Sequence, residues 1–293
     1  MNFKSLLRGT GVAVITPFSN DDQVDYPALG SLLDFLIQNG VNYIVTLGTT
    51  GETPVLTKEE KKAIIDFTYK QVNNRVPVVV GIGGNNTAEV IADLQSYDLS
   101  QAAAVLSASP YYNKPSQEGL YQHYKALAAH SPRPIILYNV PGRTGRNMTA
   151  QTTIRLANEV GNIIGIKEAS GDMQQCMEII RDSPSHFLVV SGDDALAMPQ
   201  IACGMQGVIS VAANAFPNAF CKMVNHALAF EMDEARSINE QLMKAYDIMF
   251  AENNPAGVKA FLAQMNRIQN NLRLPSVPLS APLQQQVVQF LNL

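Results

Sequence analysis

The chain has 293 residues, of which 46% are apolar, and a formal net charge of −4 with its basic residues scattered singly. This composition allows one sizeable core but offers no basic patch for nucleic acid or an anionic membrane surface. No apolar stretch reaches the ~20 residues that a membrane-spanning helix needs, so we expect a soluble protein that acts on a small molecule.

The cysteines indicate a reducing compartment. Cys176, Cys203 and Cys221 form no Cys-x-x-Cys pair, and their odd number argues against a disulfide framework. We therefore expect a cytoplasmic location. The first residues resemble a weak secretion signal, but Pro17 interrupts a short apolar run there, and a first strand is the better interpretation.

Eight short apolar runs recur along the chain, and nearly all of them lack the alternation of a half-exposed strand. Such continuous runs are typical of parallel strands that are covered on both faces. The predicted strands are Gly11–Ile15, Tyr43–Leu47, Val76–Ile82, Ala103–Ser107, Pro134–Tyr138, Ile163–Lys167, Phe187–Ser191 and Gly207–Val211.

Longer segments with apolar residues at helical spacing separate these runs. Thr57 before Glu59 and Glu60, and Thr87 before Glu89, indicate helix starts. The predicted helices are Tyr26–Asn39, Lys58–Val72, Thr87–Leu99, Gln117–His130, Thr149–Glu159, Met173–Arg181, Asp194–Cys203, Ala219–Phe230, Asp233–Phe250, Pro255–Met265 and Gln284–Leu293.

Eight alternating strands and helices predict a (β/α)8 barrel, the TIM-barrel fold, with a small C-terminal helical extension. We assign residues 1–224 to the barrel and residues 225–293 to the extension. A doubly wound open sheet is the alternative. It is less favoured because the glycines of Gly81–Asn85 do not have the spacing of a dinucleotide-binding motif.

The sixth run ends in Lys167. In a barrel, side chains at the carboxyl ends of the strands face the active site. Poor hydration there favours the neutral form of an amine, which is the form that attacks a ketone. Lys167 is therefore the first candidate nucleophile. Taken alone, the run leaves two alternatives open: a lysine that extends to solvent, or one paired with a carboxylate such as Glu168.

The fifth run ends in Tyr138 and is followed by Arg143. A phenol at this place can transfer protons, and a guanidinium can hold a substrate carboxylate through two hydrogen bonds. A structural tyrosine and a surface arginine are equally compatible with the residues alone.

Two further segments follow strands. Gly48–Glu52 contains Thr49 and Thr50, whose hydroxyls, with successive backbone N–H groups, suit a carboxylate. It lacks the ending of a P-loop, and a plain turn is an alternative. The fourth run is followed by Tyr111 and Tyr112, a pair that more often covers an interface than performs chemistry.

No metal site is predicted. The four histidines, His123, His130, His186 and His226, show no metal-ligand spacing. Asp194 is better interpreted as a residue at a helix start than as a magnesium ligand.

Five segments, in this order along the chain, resemble motifs of the dihydrodipicolinate synthase family, which belongs to the pyruvate-dependent class I aldolases. Each motif is modest alone, but five in register are specific, and the resemblance extends nearly end to end. It implies the same barrel with a C-terminal helical extension. The segments are Gly48–Glu52, Pro110–Pro115, Tyr138–Gly145, Gly165–Glu168 and Gly207–Ser210.

The resemblance implies four catalytic residues. Lys167 corresponds to the lysine that forms an imine with pyruvate, and Tyr138 to the acid and base beside it. Thr49 would link Tyr138 to Tyr112, which in this family reaches in from the neighbouring subunit. The three hydroxyls would form a proton relay.

The resemblance also implies substrate contacts. Thr50 would bind the pyruvate carboxylate, and Arg143 would receive the second substrate. Gly192 and Ile209 correspond to backbone contacts near the imine.

The implied reaction is the condensation of pyruvate with L-aspartate 4-semialdehyde in the diaminopimelate branch of lysine biosynthesis, giving 4-hydroxy-tetrahydrodipicolinate. No metal or organic cofactor is expected, because the lysine imine itself accepts the electrons. The family implies a homotetramer built as a dimer of dimers.

L-Lysine inhibits many bacterial and plant members of the family at a site between subunits. The resemblance points to Thr53, Pro54, Lys58, Lys61, Asn85, Glu89 and Tyr111. Lys58 and Lys61 occupy positions where inhibited bacterial members commonly carry histidine. Since either ammonium would repel a cationic ligand, we expect weak or absent inhibition.

Two other functions are weighed. An N-acetylneuraminate lyase or another keto-acid aldolase would share the lysine and tyrosine, but such relatives usually lack an arginine at the position of Arg143 and often carry Ser-Thr in place of Thr49-Thr50. A non-catalytic, ligand-sensing barrel would be favoured by loss of Lys167, Tyr138 or Thr49, and all three are present.

Overall fold

The computed structural model describes residues 2–292, and within that range eight parallel strands close into a barrel in chain order. The closure is made by the first and last strands, where Gly9 pairs with Gly207. The predicted (β/α)8 barrel is confirmed. The strands are β1 (Gly9–Ala13), β2 (Tyr43–Thr46), β3 (Val78–Gly81), β4 (Ala102–Ala108), β5 (Ile135–Asn139), β6 (Ile163–Glu168), β7 (Leu188–Ser191) and β8 (Gly207–Ser210).

Helices surround the barrel and continue after its last strand. Short 3₁₀ turns cover Thr49–Gly51, Thr53–Val55 and Ala212–Asn214. The helices are α1 (Phe3–Leu6), α2 (Tyr26–Gln38), α3 (Lys58–Val72), α4 (Thr87–Ser96), α5 (Gln117–His130), α6 (Pro141–Thr144), α7 (Ala150–Glu159), α8 (Met173–Asp182), α9 (Ala197–Ala202), α10 (Pro217–Leu228), α11 (Met232–Phe250), α12 (Ala256–Gln264) and α13 (Ala281–Leu291).

The helix starts show how local chemistry fixes the ends of elements. Thr57 caps α3 through a reciprocal pair of hydrogen bonds with Glu60, as its sequence predicts. At α4 the cap is Asn86 rather than Thr87, since the Asn86 side chain accepts a hydrogen bond from the N–H of Ala88. Helix α4 therefore begins at Thr87 as predicted, but its capping residue lies one position earlier than predicted.

Other boundaries also differ from the prediction. The first strand begins two residues earlier than predicted, because Gly9 already pairs with Gly207. The helix after β7 begins at Ala197 rather than Asp194. The last helix begins at Ala281, and the predicted end at Leu293 lies outside the described residues.

The core has two layers on either side of the barrel wall. Inside the barrel, side chains such as Tyr43, Ile136 and Leu188 pack together. Between the strands and the helices lies a larger layer that includes Leu33 and Phe220. Most strand residues are therefore buried on both faces, which explains their continuous apolar runs.

The helices that follow the barrel pack on its last unit. Helix α11 packs against α10, and α13 contacts both α11 and α12. An aromatic cluster joins them: the rings of Phe261 and Phe290 each lie within 6 Å of the ring of Phe216, edge to face. This aromatic cluster joins the extension to the segment that follows β8.

The division into a barrel of residues 1–224 and an extension of residues 225–293 stays a prediction. Helix α10 spans that boundary, since it runs Pro217–Leu228. We propose that the extension begins after Leu228, where one complete helix ends and the next begins. None of the helices found in residues 2–292 is both long enough and apolar enough to span a membrane.

Candidate active site

Strand β6 contains one residue more than its pairing with β5 requires. Ile135 pairs with Ile163, but the next residue, Ile136, pairs with Gly165, which leaves Ile164 as an extra residue. An extra residue of this kind changes the face on which the following side chains lie.

The extra residue turns Lys167 into the barrel. Ile164 belongs to the inner layer, so strict alternation would bring Ile166 inward and point Lys167 toward the helices. Instead, Ile166 packs in the outer layer, and Lys167 pairs with the inward-facing Tyr138 of β5. The two predicted catalytic side chains therefore lie side by side.

Lys167 is buried and lies against an aromatic ring. It is 4% exposed, and its Nζ lies 4.3 Å from the centroid of the Tyr138 ring. Gly192 lies close by, because a Cβ added there would stand 3.0 Å from Lys167 Cε. No carboxylate among residues 2–292 forms a salt bridge with Nζ. Neither solvent exposure nor pairing with Glu168 describes this lysine.

Glu168 is fully buried on the opposite face of β6. Its carboxylate accepts hydrogen bonds from Asn139 Nδ2 at 3.0 Å, from the Ser170 N–H at 2.7 Å and from Gln175 Nε2 at 3.2 Å. Burial raises the pKa of Glu168, and these hydrogen bonds oppose that effect. The network ties the ends of β5 and β6 together behind Tyr138 and Lys167.

The loop after β2 presents Thr50, whose hydroxyl donates no hydrogen bond within residues 2–292. Thr50 is buried in the 3₁₀ turn, and its Oγ1 accepts a hydrogen bond from Asn254 Nδ2 at 3.1 Å. Because the oxygen accepts this bond, the hydroxyl can donate its own proton. A donor in this position suits a carboxylate.

Asn254 is a site residue that the sequence analysis missed. Its backbone carbonyl accepts a hydrogen bond from Arg143 Nη2 at 3.4 Å. Asn254 therefore contacts both Arg143 and Thr50, the two side chains predicted to bind substrate carboxylates. Its Oδ1 is buried without a hydrogen-bond partner in the part of the chain that the structure describes. An asparagine before a proline predicts only a turn, and the contacts that give it importance are with residues far away in the sequence.

A cavity of about 320 Å³ opens at the carboxyl ends of β2 to β5. Three predicted site residues line it, namely Thr49, Tyr138 and Arg143. Of the predicted regulatory residues, four line the same cavity: Thr53, Pro54, Lys61 and Tyr111.

The remaining regulatory residues lie elsewhere. Lys58 is exposed and forms a salt bridge with Asp93, with an Nζ to Oδ1 distance of 3.2 Å. Asn85 accepts a hydrogen bond from Asn113 through its carbonyl, and Glu89 is exposed on α4. Lys58 and Lys61 thus have different surroundings.

Within the described residues Tyr112 does not meet the other predicted site residues, whereas Ile209 shares the inner layer of the barrel with Tyr138. Tyr112 is 88% exposed and has a φ of +72°, an unusual conformation for a bulky side chain. The hydroxyls of Thr49, Tyr138 and Tyr112 form no relay inside the described chain. The Ile209 side chain is buried in the inner layer, on the strand that follows Gly192.

Asp194 does not begin a helix, so that prediction was wrong. Its carboxylate is buried and accepts hydrogen bonds from the N–H groups of Val211 and Ala212, at 3.1 and 2.7 Å. The neighbouring Asp193 closes the local turn instead, by accepting from the N–H of Ala195. Asp194 therefore joins the ends of β7 and β8. No group of three or more potential metal-ligating side chains was found in residues 2–292.

Comparison with known proteins gives one consistent result. The model of the dihydrodipicolinate synthetase family matches residues 6–293. A 4-hydroxy-tetrahydrodipicolinate synthase from Parabacteroides distasonis is 53% identical over 272 residues, which cover 93% of this chain and 92% of that protein.

Solved structures agree with the family match. A chloride-inhibited dihydrodipicolinate synthase from Acinetobacter baumannii, complexed with pyruvate, superposes with a TM-score of 0.95 at 40% identity and covers 98% of each chain. A relative from Cyanidioschyzon merolae, solved with lysine bound, gives a TM-score of 0.94 at 35% identity, again with 98% of each chain covered.

The buried carboxyl of Asp194 gives a prediction about pH. Desolvation raises the pKa of Asp194 to about 6, against the hydrogen bonds that it accepts. In the unfolded chain an aspartate titrates near pH ~3.9, so between about pH 4 and pH 6 the folded state binds more protons. The contribution of Asp194 to stability therefore falls as the pH rises through this range.

We expect Asp194→Asn to remove this dependence. The free energy of unfolding of the variant, relative to the unmodified chain, should rise by roughly 1–3 kcal/mol between pH 4 and pH 7. Urea unfolding at a series of pH values measures it. A difference that stays constant across the series would contradict the assignment.

Proposed function

The chain belongs to the dihydrodipicolinate synthetase family, and from this premise we propose that Lys167 is the residue on which its reaction takes place. The chain is a lyase that performs an aldol-type condensation in the diaminopimelate branch of lysine biosynthesis. One observation supports Lys167 above all. It is a buried amine, turned into the barrel beside Tyr138, with no carboxylate partner in the described residues.

The proposed reaction begins with pyruvate, the ligand that the Acinetobacter baumannii relative holds. The amine of Lys167 attacks the ketone carbon, and the carbinolamine loses water with proton transfer by Tyr138, which leaves an imine. The imine accepts electrons, so loss of a methyl proton gives an enamine. No metal or organic cofactor enters these steps.

The second half of the reaction uses L-aspartate 4-semialdehyde. The enamine carbon attacks the aldehyde carbon and forms the new carbon–carbon bond. The amino group of the adduct then attacks the imine carbon and displaces Lys167, which frees the amine for another cycle. The product is 4-hydroxy-tetrahydrodipicolinate.

We also propose the substrate contacts that the family resemblance implies. We assign the pyruvate carboxylate to the Thr50 hydroxyl, which accepts a hydrogen bond from Asn254 Nδ2 and can donate its own proton to the carboxylate. Arg143 lines the cavity and suits the carboxylate of the second substrate. Gly192 leaves room beside Lys167 that a larger residue would fill, so its backbone can approach the imine. Ile209 is assigned the corresponding backbone contact from β8.

Two alternatives are not favoured. An N-acetylneuraminate lyase would not be expected to carry Arg143 together with Thr49 and Thr50, and relatives near 50% identity are named as the synthase. A non-catalytic barrel would have no reason to bury an amine beside a phenol.

We propose a homotetramer in which Tyr112 of one subunit completes the site of its neighbour. Its exposure of 88% and its positive φ support a contact outside its own chain. We also propose a cytoplasmic location, since all three cysteines are free thiols.

Trapping with pyruvate and substitution of Arg143 test the two halves of the reaction separately. Borohydride reduction with pyruvate should add one pyruvate-derived mass at Lys167, which peptide mass spectrometry locates. Arg143→Ala should keep this trapping while the KM for aspartate semialdehyde rises at least about tenfold, because it loses a charged hydrogen bond.

Lys259 is a useful control within the same experiment, since it is another buried lysine but lies in the extension. Modification at Lys259 or any other lysine would contradict the mechanism. Loss of trapping in Arg143→Ala would contradict the assignment of Arg143 to the second substrate.

The proposed role of Tyr112 in the site of the neighbouring subunit gives another prediction. Tyr112→Phe and Lys167→Ala should each lower turnover by about 10²-fold or more, as is usual for loss of proton transfer or of the nucleophile. If Tyr112 acts across an interface, mixed tetramers should regain part of the activity, because some sites combine an intact Lys167 with an intact Tyr112. Steady-state assay after verified subunit exchange tests this; absence of any rescue would place Tyr112 in its own site.

A further prediction concerns inhibition by L-lysine. We propose that inhibition is weak or absent, because Lys61 lines the cavity near Tyr111 and would stand close to a cationic ligand. Two like charges about 6 Å apart at an effective dielectric constant of about 20 repel by roughly 3 kcal/mol before solvent screening. Lys58 contributes less, since Asp93 pairs with it.

The measurement is a steady-state assay across L-lysine concentrations at limiting pyruvate. Lys61→His should strengthen inhibition, whereas Lys58→His, the matched control, should change it little. Strong inhibition of the unmodified chain near ~0.1 mM, which corresponds to about −5.5 kcal/mol, would contradict the repulsion.

A further inference from the structure

Helix α12 contains a lysine where a charge is hardest to accommodate. All residues of Ala256–Leu262 are buried, and Lys259, in the middle of this stretch, is 0% exposed. A helix buried on all sides is normally apolar throughout, and a buried ammonium requires a partner. Desolvation lowers the pKa of Lys259 to about 8, although its partner acts in the opposite direction.

The partner is Glu52, which directly follows the turn that presents the two threonines. Lys259 Nζ forms a close ion pair with Glu52 Oε1, and it also donates to the Asn271 carbonyl at 2.9 Å. Glu52 Oε2 accepts from the N–H of Arg273 at 3.3 Å. The carboxylate is therefore bound from two places in the C-terminal extension.

Glu52 controls the geometry of that turn. It has a φ of +53°, and its N–H donates to the Thr49 carbonyl at 3.1 Å, which closes the 3₁₀ turn Thr49–Gly51. Asn254, which precedes α12, holds the Thr50 side chain in the same turn. The extension thus contacts both the backbone and a side chain of the turn.

Stabilisation of the fold does not by itself account for a buried ion pair such as Lys259–Glu52. Replacing a buried ion pair by apolar groups of similar volume often leaves stability unchanged or increases it, because desolvation cancels much of the attraction. A directional contact between two distant segments does fix their relative position.

We propose that Lys259 and Glu52 are positioning residues for the reaction: their ion pair lets the C-terminal extension hold the Thr49–Gly51 turn in the geometry that binds the pyruvate carboxylate. The inference rests on the proposed function, since it assigns that carboxylate to Thr50. The pair itself does not touch substrate.

The test is the neutral double variant Glu52→Gln/Lys259→Met, which removes both charges and keeps similar volumes. We expect it to fold, because no unpaired charge is left in the core. Its KM for pyruvate should rise about tenfold or more, as small misplacements of binding groups cost, while its KM for aspartate semialdehyde stays near that of the unmodified chain. A role in packing alone would not separate the two substrates.

The matched control is Asp233→Asn/Arg236→Met, which removes an exposed ion pair from the same extension. Arg236 Nη2 lies 2.9 Å from Asp233 Oδ1, and both side chains are more than half exposed. Both KM values should remain unchanged.

A second variant covers failure of the double variant to fold. Glu52→Asp keeps both charges but shortens the carboxylate side chain by one methylene, and it should raise the KM for pyruvate severalfold. Unchanged pyruvate kinetics in either folded variant would overturn the proposal.

Borohydride trapping at increasing pyruvate concentrations separates this proposal from the proposed function. If the unmodified chain is not trapped at Lys167, the mechanism itself is wrong. If the unmodified chain is trapped and the variants need the same pyruvate concentration, only the positioning role is wrong. A shift of the half-saturating concentration in the variants alone supports it.

Discussion

One extra residue in β6 determines which face of the barrel wall holds the reactive groups. Without it, Lys167 would point to the helices and Glu168 would point into the barrel. With it, the amine lies against the Tyr138 ring, and the carboxylate lies among amide and N–H donors outside. An amine that we propose as the nucleophile and a carboxylate that would hold it as an ion pair are adjacent in sequence but lie on opposite sides of a strand.

The site also depends on contacts that cross the whole chain. Thr50 follows the second strand, whereas Asn254 and Lys259 come after the eighth. Asp194 works in a similar way at the other side of the barrel mouth, where it joins the ends of β7 and β8. The strands provide the wall, and these buried polar side chains hold the loops at its rim.

Much of this could be predicted from the sequence because parallel strands appear as continuous apolar runs and the active site of a barrel lies at their carboxyl ends. Lys167 and Tyr138 were proposed in this way, Arg143 was proposed from the turn after the fifth run, and the family resemblance implied their roles. The extra residue in β6 was not predictable, since a pairing register depends on two strands at once. The sequence does contain a signal for Lys259, since it is a single charge within an apolar helix. Only the fold identifies Glu52 as its partner.

The contacts of Asn254 and Lys259 have a consequence for the order of events during synthesis. A nascent chain that has already produced all eight strands still lacks the groups that hold Thr50 and Glu52. During synthesis, Glu52 has no Lys259 to pair with until the α12 segment has emerged from the ribosome. Only then can the carboxylate of Glu52 and the ammonium of Lys259 be buried together. The groups that hold the turn after β2 are therefore made only after the whole barrel wall has been made.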